Sequence, residues 1–146
     1  MISVFTASHN SRFLDDCYKS LTEQFHKDWQ WVVLLNAGAH FECDDPRVKI
    51  VSCDEAGKGV GFYKALACSL ADGDILVELD HDDILDPAAL REVQAVFDEM
   101  PNVVFVYSNT IQILEDGSPD RTRYDERFGW KFEEHRSEEH TSELQS

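Results

Sequence analysis

Residues 31–35 form a run of five consecutive apolar side chains, the segment that most restricts the fold of this chain. A run of this length without polar alternation is typical of a strand that is buried on both faces. Such a strand needs packing partners above and below it, which helices provide in an α/β domain. Other β-rich runs predict further strands at residues 2–6, 48–51, 75–79, 103–107 and 111–114. A turn at Asp116 and Gly117 is predicted to end the last of these strands.

Three segments between these runs have the spacing of helices. The first carries apolar residues three and four positions apart, namely Leu14, Cys17, Tyr18, Leu21 and Phe25. Asn10 or Ser11 is predicted to cap its start. The glycine-rich residues 57–61 open a second helix that extends to about Ala71.

The third helix is predicted to start with Asp86 as N-cap and Pro87 at the first helical position. Strands that alternate with helices predict an α/β domain with a Rossmann-like, mostly parallel sheet and helices on both faces. We expect residues 1–135 to form one such domain.

The charge balance excludes some functions. The net charge of −16 leaves no basic face for nucleic acid, so we expect no nucleic-acid partner. A phosphorylated ligand then requires a metal ion, a local Lys or Arg, or backbone N–H groups. No run approaches the roughly 20 apolar residues of a membrane span, and no signal peptide is evident. The four cysteines show no CxxC spacing, which favours reduced thiols and a cytoplasmic protein.

The last eleven residues, 136–146, read RSEEHTSELQS. This string resembles the in-frame translation of a common sequencing-library adapter. We therefore expect a non-native tail and exclude it from the fold.

Polar residues follow three of the predicted strands, where ligands bind in an open α/β sheet. These clusters are residues 7–10, residues 36–38 and residues 80–83. The third cluster is the most informative, because its three carboxylates repel one another unless a cation or a hydrogen-bonded network offsets them. Asp80 and Asp82 can point to one side in extended geometry, and oxygen ligands of this kind suit Mg²⁺ or Mn²⁺. A cap of the following helix is the alternative role for Asp83.

Two lysines flank the glycine-rich opening of the second helix. Lys58 and Lys64 can each pair with a diphosphate, or be ordinary solvated side chains. The glycine pattern itself lacks the spacing of a phosphate-binding P-loop.

Three segments together resemble glycosyltransferase family 2, which has the GT-A fold. ISVFTASHN resembles the opening strand of the family, SLTEQFHKDWQWVVLLNAGA its first helix and second strand, and ADGDILVELDHDDILDPAAL its DxD segment. The resemblance covers roughly residues 2–130 and implies the nucleotide-binding half of a GT-A domain. Asn36 and Ala37 stand where the family usually has acidic residues, and Ala7 and His9 replace its usual Pro and Tyr.

The resemblance implies a metal-dependent, inverting transfer from a nucleotide-diphosphate sugar to an acceptor that the sequence does not specify, whether glycan, lipid or protein. Asp82 would contact the metal, Asp80 the ribose or a metal-bound water, and residues 7–10 the nucleotide. The predicted donor-binding residues are Ala7, Ser8, His9, Asn10, Asn36, Lys58, Lys64, Asp80, His81 and Asp82.

The resemblance also implies that the catalytic base lies downstream of this chain, so we expect the fragment to bind donor and to transfer sugar slowly or not at all. Asp116, Asp120 and Asp125 are available carboxylates for which loop roles are favoured. The alternatives are a nucleotidyltransferase, which would carry a glycine-rich basic loop after the first strand, and a phospho-receiver domain, which would carry an acidic pair there. A non-catalytic nucleotide-sugar sensor also remains open.

Overall fold

The computed structural model describes residues 1–108, 110–114 and 116–118, and the chain divides into two compact units, Met1–Val104 and Phe105–Ser146. The elements are β1 (Ile2–Ser8), α1 (Leu14–Thr22), β2 (Trp29–Leu35), β3 (Val48–Ser52), α2 (Val60–Ser69), β4 (Ile75–Glu78) and α3 (Ala89–Glu99). The predicted alternation of strands and helices is confirmed for this part of the chain. Within the described ranges, no helix is both long and apolar enough to span a bilayer.

The four strands form one sheet in the order β3-β2-β1-β4, and every neighbouring pair is parallel. β1 is central, with Ser8 opposite Leu35 of β2 on one side and Phe5 opposite Glu78 of β4 on the other. All carboxyl ends of the strands therefore lie at the same edge of the sheet. The predicted α/β fold with a mostly parallel sheet is confirmed.

The core has two layers because alternate residues of β2 face opposite sides of the sheet. Trp31 and Val33 pack with α1 and with Leu90 of α3, whereas Val32 and Leu34 pack with α2. The apolar run that predicted a strand buried on both faces is thus buried on both faces, with helices covering each.

The predicted side-chain cap of α1 is wrong. α1 starts at Leu14, with Phe13 in the N-cap position and no side-chain cap hydrogen bond. The Asn10 Oδ1 atom accepts a hydrogen bond from the Arg12 N–H at 3.0 Å, and the carbonyl of Ser11 accepts one from Leu14 at 3.2 Å. These bonds form turns ahead of the helix, so both candidate caps are used locally.

The predicted start of α3 is also wrong, because α3 begins at Ala89 and not at Pro87. The Asp86 carboxylate accepts a hydrogen bond from the Ala88 N–H at 2.8 Å, which closes a turn in front of the helix. The carbonyls of Asp86 and Pro87 are bonded to Gln24 and Phe25 next to α1, at 2.7 Å and 2.8 Å. Tertiary contacts hold these two residues outside the helix.

The last two predicted strands are not formed as predicted. Residues 103–108 contain no strand, and Val104 and Phe105 are 92% and 77% exposed. A strand exists only when its backbone is paired, so an apolar run alone was not sufficient. In the second unit, the predicted strand is reduced to a single bridge residue, Ile113, although the turn at Asp116 and Gly117 forms as predicted.

Candidate functional site

Residues that follow β1, β2 and β4 meet at the carboxyl edge of the sheet. The Asn36 N–H donates to the carbonyl of Ser8 at 2.9 Å, which extends the β1–β2 pairing by one residue. On the other side of β1, the Leu79 N–H donates to the carbonyl of Phe5 at 3.1 Å. Asn36 and Asp80 therefore flank the end of β1, as the sequence predicted.

Thr6 fixes the backbone immediately before the acidic residues. Its hydroxyl donates to the carbonyl of Leu79 at 2.8 Å and accepts a hydrogen bond from the Trp31 Nε1–H at 2.9 Å. All three side chains are at least 97% buried. The position of Leu79, and hence of Asp80, is tied to the middle of the core.

Residues 8–10 form a self-bonded turn where β1 ends. The buried Ser8 hydroxyl donates to the carbonyl of Asn10 at 2.7 Å and accepts from the Asn10 N–H at 3.2 Å. His9 is exposed, and its ring contacts that of His81 edge to face, with centroids 4.9 Å apart. The structure thus brings the loop after β1 into contact with the acidic loop, which we define as residues 80–83.

The acidic loop is a tight turn in which the Asp83 N–H donates to the carbonyl of Asp80 at 3.1 Å. Asp82 is exposed and makes no hydrogen bond or ion pair with the residues that the structure describes. Partial loss of hydration raises the pKa of Asp83, and the neighbouring charges of Asp82 and Asp80 raise it further. The loop therefore brings several carboxylates together, and one of them, Asp82, is exposed and has no hydrogen-bond or ion-pair partner among the described residues.

Lys64 reaches this loop from α2. Its ammonium group lies 2.7 Å from Asp80 Oδ1 and 2.5 Å from Glu78 Oε1. The hydrogen bonds to Asp80 and then to Glu78 raise the pKa of Lys64. Lys64 is thus at the site, with a carboxylate as its present partner.

Lys58 has different partners. It lies 3.6 Å from the Glu55 carboxylate and 5.3 Å from the centre of the Phe62 ring. These contacts are in and beside the glycine-rich loop. None of them brings Lys58 to the acidic loop.

The sequence analysis did not identify three residues that support the site, two in α1 and one just after it. Cys17, Ser20 and Gln24 are all buried, and each hydrogen-bonds the backbone of the segment that starts at Asp80. Burial raises the pKa of the Cys17 thiol to about 12, so it remains a donor at neutral pH. The available signal was a set of polar or weakly polar residues on the apolar face of an amphipathic helix.

The carboxylates of the acidic loop are of the type that binds Mg²⁺ or Mn²⁺. Among the described residues, no cluster of three or more His, Cys, Asp or Glu side chains could hold a metal ion by itself. Mg²⁺ usually takes only one or two carboxylates and completes its shell with water and substrate phosphates. The free carboxylate of Asp82, beside Asp80, fits a metal ion that takes only one or two protein carboxylates.

A cleft of about 700 Å³ lies elsewhere, lined by residues 41–47 together with Asp15 and Tyr18. Asp45 is held there by the Arg47 guanidinium at 2.6 Å and by the Tyr18 hydroxyl at 3.1 Å. None of the predicted donor-binding residues lines this cleft.

Comparison with known structures places the fold. Staphylococcus aureus TarS 1-349 in complex with UDP-GlcNAc has a TM-score of 0.59 and 20% identity, covering 67% of this chain and 31% of that one. The complex of the same fragment with UDP has a TM-score of 0.54, 20% identity and coverages of 67% and 32%. At these identities the likeness shows a shared GT-A glycosyltransferase architecture.

Comparison of sequences shows the family. The uncharacterized protein y4gI of Sinorhizobium fredii (strain NBRC 101917 / NGR234) is 36% identical over 139 aligned positions, which cover 88% of this chain. The chain spans only 15% of the length of that relative. The sequence profile of glycosyl transferase family 2 matches residues 3–142, nearly the whole chain. The chain therefore belongs to glycosyl transferase family 2.

Proposed function

We propose that this domain binds the nucleotide part of a nucleotide-diphosphate sugar at the carboxyl edge of its sheet, in a protein that transfers the sugar to an acceptor. The observation that carries the proposal is the free carboxylate of Asp82. Asp82 lies in the acidic loop, whose first residue, Asp80, is paired with Lys64. This loop is at the carboxyl edge of the sheet, which also carries Ser8 and Asn36. An acidic chain needs such local features to accept a diphosphate.

The proposed ligand is a Mg²⁺ or Mn²⁺ ion together with the donor diphosphate. Asp82 would hold the metal, because its carboxylate has no competing partner among the described residues. Asp80 would use the oxygen not bonded to Lys64 for the ribose or for a metal-bound water. The metal, when bound, supplies positive charge that stabilises the leaving diphosphate.

The other predicted residues would surround the nucleotide. Residues 7–10 would lie against the nucleotide. The rings of His9 and His81, which contact each other, would lie beside the nucleotide-binding site. Asn36 would face the base, where an amide can both donate and accept a hydrogen bond. Ala37 has a φ of 51°, which is unusual for a residue other than glycine and turns the chain away directly after Asn36.

Lys64 would keep its ion pair with Asp80 while it also approaches the diphosphate of the donor. Its ammonium group already neutralises Asp80, which limits repulsion between the acidic loop and a diphosphate. Lys58 would reach the diphosphate only by leaving Glu55. Of the two lysines, Lys64 is therefore the better supported donor-binding residue.

The TarS structures support a nucleotide sugar as the ligand class, since they include complexes with UDP-GlcNAc and with UDP. Family membership favours glycosyl transfer over the nucleotidyltransferase and phospho-receiver alternatives. The four cysteines are free, which supports the further proposal of a reducing, cytoplasmic environment.

We further propose that this fragment does not itself catalyse efficient transfer. The Asp116 carboxylate is bonded to the hydroxyl and N–H of Ser118, at 2.6 Å and 2.9 Å, as expected for a turn residue and not for a base. Asp120 and Asp125 lie outside the described residues. Robust sugar transfer by this chain with Mn²⁺, a panel of nucleotide sugars and generic acceptors would contradict the proposal.

Calorimetric titration with UDP, GDP and TDP, each with and without Mn²⁺, tests donor binding. We expect one of the nucleotides to bind in a Mn²⁺-dependent manner, and Asp82→Asn to weaken that binding at least about tenfold through loss of a charged ligand. Asp98→Asn removes the same charge from an exposed position on α3 and serves as the matched control. Equal binding by Asp82→Asn and the native chain would exclude the metal assignment.

A further inference from the structure

A row of three buried side chains connects α1 to the segment that carries the acidic loop. Cys17, Ser20 and Gln24 are spaced three and four residues apart, so they lie along one face of the helix and its extension. Their exposed fractions are 0%, 6% and 0%. Buried polar groups of this kind are normally tied to specific partners, because an unpaired one is costly.

Cys17 contacts the loop itself. Its sulfur lies 3.2 Å from the carbonyl oxygen of Asp83, 3.4 Å from that of His81 and 3.8 Å from that of Asp80. These carbonyls therefore turn inward around a single thiol. The side chains of Asp82 and Asp83 in the same turn are exposed.

Ser20 and Gln24 hold the residues that follow. The Ser20 hydroxyl accepts a hydrogen bond from the Leu85 N–H at 3.2 Å. The Gln24 amide donates to the carbonyl of Asp86 at 2.7 Å, and its oxygen accepts from the Leu90 N–H at 3.0 Å. Together with Cys17, they give the segment from Asp80 to the first turn of α3 a series of anchors on one face.

We propose that Cys17, Ser20 and Gln24 are positioning residues that set the conformation of the acidic loop and thereby the affinity for a metal-bound nucleoside diphosphate. The second part of the proposal rests on the proposed function, whereas the first part does not. A loop of mutually repelling carboxylates would spread in the absence of a ligand unless its backbone were held. Cys17, Ser20 and Gln24 bond the backbone of this segment from the buried side and so would stabilise the loop without contacting the ligand.

The test compares Ser20→Ala with Thr22→Val in the 146-residue chain. Both variants lose a hydroxyl that donates to a carbonyl three residues earlier in α1, at 2.7 Å in each case. Only Ser20 also bonds the segment that follows the acidic loop, at the Leu85 N–H, so Thr22→Val is the matched control. Gln24→Leu is a stronger variant of the same kind, and Ser20→Ala keeps the test available if Gln24→Leu does not fold.

Amide hydrogen exchange at Asp83 is the first readout, because this N–H bonds to the Asp80 carbonyl and to none of the three side chains. We expect Ser20→Ala to accelerate it about tenfold, the size of effect expected when one buried hydrogen bond is lost. The Ala39 N–H, bonded to Asn36 at the other side of the site, should keep its rate. An unchanged rate at Asp83 would overturn the proposal.

Affinity for UDP with Mn²⁺ is the second readout. We expect Ser20→Ala to weaken it about fivefold and Thr22→Val to leave it unchanged, in proteins shown to be fully folded at the assay temperature. Faster exchange without any loss of affinity, in a chain where Asp82→Asn does weaken binding, would overturn the link to donor binding. If the native chain binds none of UDP, GDP and TDP with Mn²⁺, the proposed function is wrong, and the exchange rates alone decide whether Cys17, Ser20 and Gln24 order the loop.

Discussion

Replacement of Thr6 by Val tests the contact that joins the acidic loop to the core. Valine has nearly the same shape as threonine but neither donates nor accepts a hydrogen bond. It would leave the Trp31 Nε1–H and one lone pair of the Leu79 carbonyl without their partners, both in groups that are at least 97% buried. An unsatisfied buried group costs about 1–3 kcal/mol, so the two together should lower the free energy of unfolding by roughly 2–6 kcal/mol. That is a large part of the roughly 5–15 kcal/mol of a typical domain.

Urea unfolding followed by tryptophan fluorescence measures this loss directly. Thr6→Ser is the control, since it keeps the hydroxyl and removes only a methyl group, at about 1 kcal/mol. In a Trp31→Phe background, Thr6→Val should cost less than it does in the native background, because the indole N–H that it would orphan is absent. If Thr6→Val were as stable as Thr6→Ser, the hydrogen bonds of Thr6 would not carry the stability argued for them.

Three further predictions concern charges and thiols. Lys64→Met should raise the affinity for Mn²⁺ alone about threefold, as judged by the paramagnetic signal of free Mn²⁺, because an exposed ion pair of Asp80 worth about 0.5–1 kcal/mol no longer competes with the metal. Asp45→Asn should cost about 1 kcal/mol at neutral pH. Since Arg47 lowers the pKa of Asp45, this difference should shrink below about pH 4, in urea titrations at several pH values. Because burial raises the pKa of Cys17, the native chain should lose stability relative to Cys17→Ala above about pH 8.5, which urea midpoints at pH 8 and pH 10 would show.

The strands and helices that could be predicted are those whose apolar pattern is sufficient by itself. Residues 31–35 are buried whichever way the strand is turned, so the sequence alone located β2. The run at residues 103–107 has a similar composition but no strand forms there, since an apolar run does not by itself specify backbone pairing. A pattern of apolar residues predicts which side chains are buried, but it does not predict which backbone segments pair.

The site was predictable in position and less so in its contacts. The rule that ligands bind beyond the carboxyl ends of parallel strands correctly brought Asn36 and Asp80 to one edge. The roles of Ser20 and Gln24 were missed, because a buried polar side chain on a helix reveals its function only through a partner more than 60 residues away in sequence. Asp86 was misjudged for the same reason, since its carbonyl accepts from Gln24 as well as from the Ala89 N–H, and α3 begins only at Ala89.

The acidic loop is held by three elements that act on different parts of it. Thr6 of β1 fixes the carbonyl just before it, Cys17 of α1 contacts its backbone from one face of the sheet, and Lys64 of α2 bonds the Asp80 side chain from the other face. Because these contacts use the backbone and Asp80, they leave the carboxylate of Asp82 without a partner among the described residues. A ligand that needs a preformed carboxylate would meet Asp82 with little rearrangement of the backbone. For that reason metal affinity should depend on Asp82 directly, and on Thr6, Cys17 and Lys64 only through the geometry and charge that they impose on it.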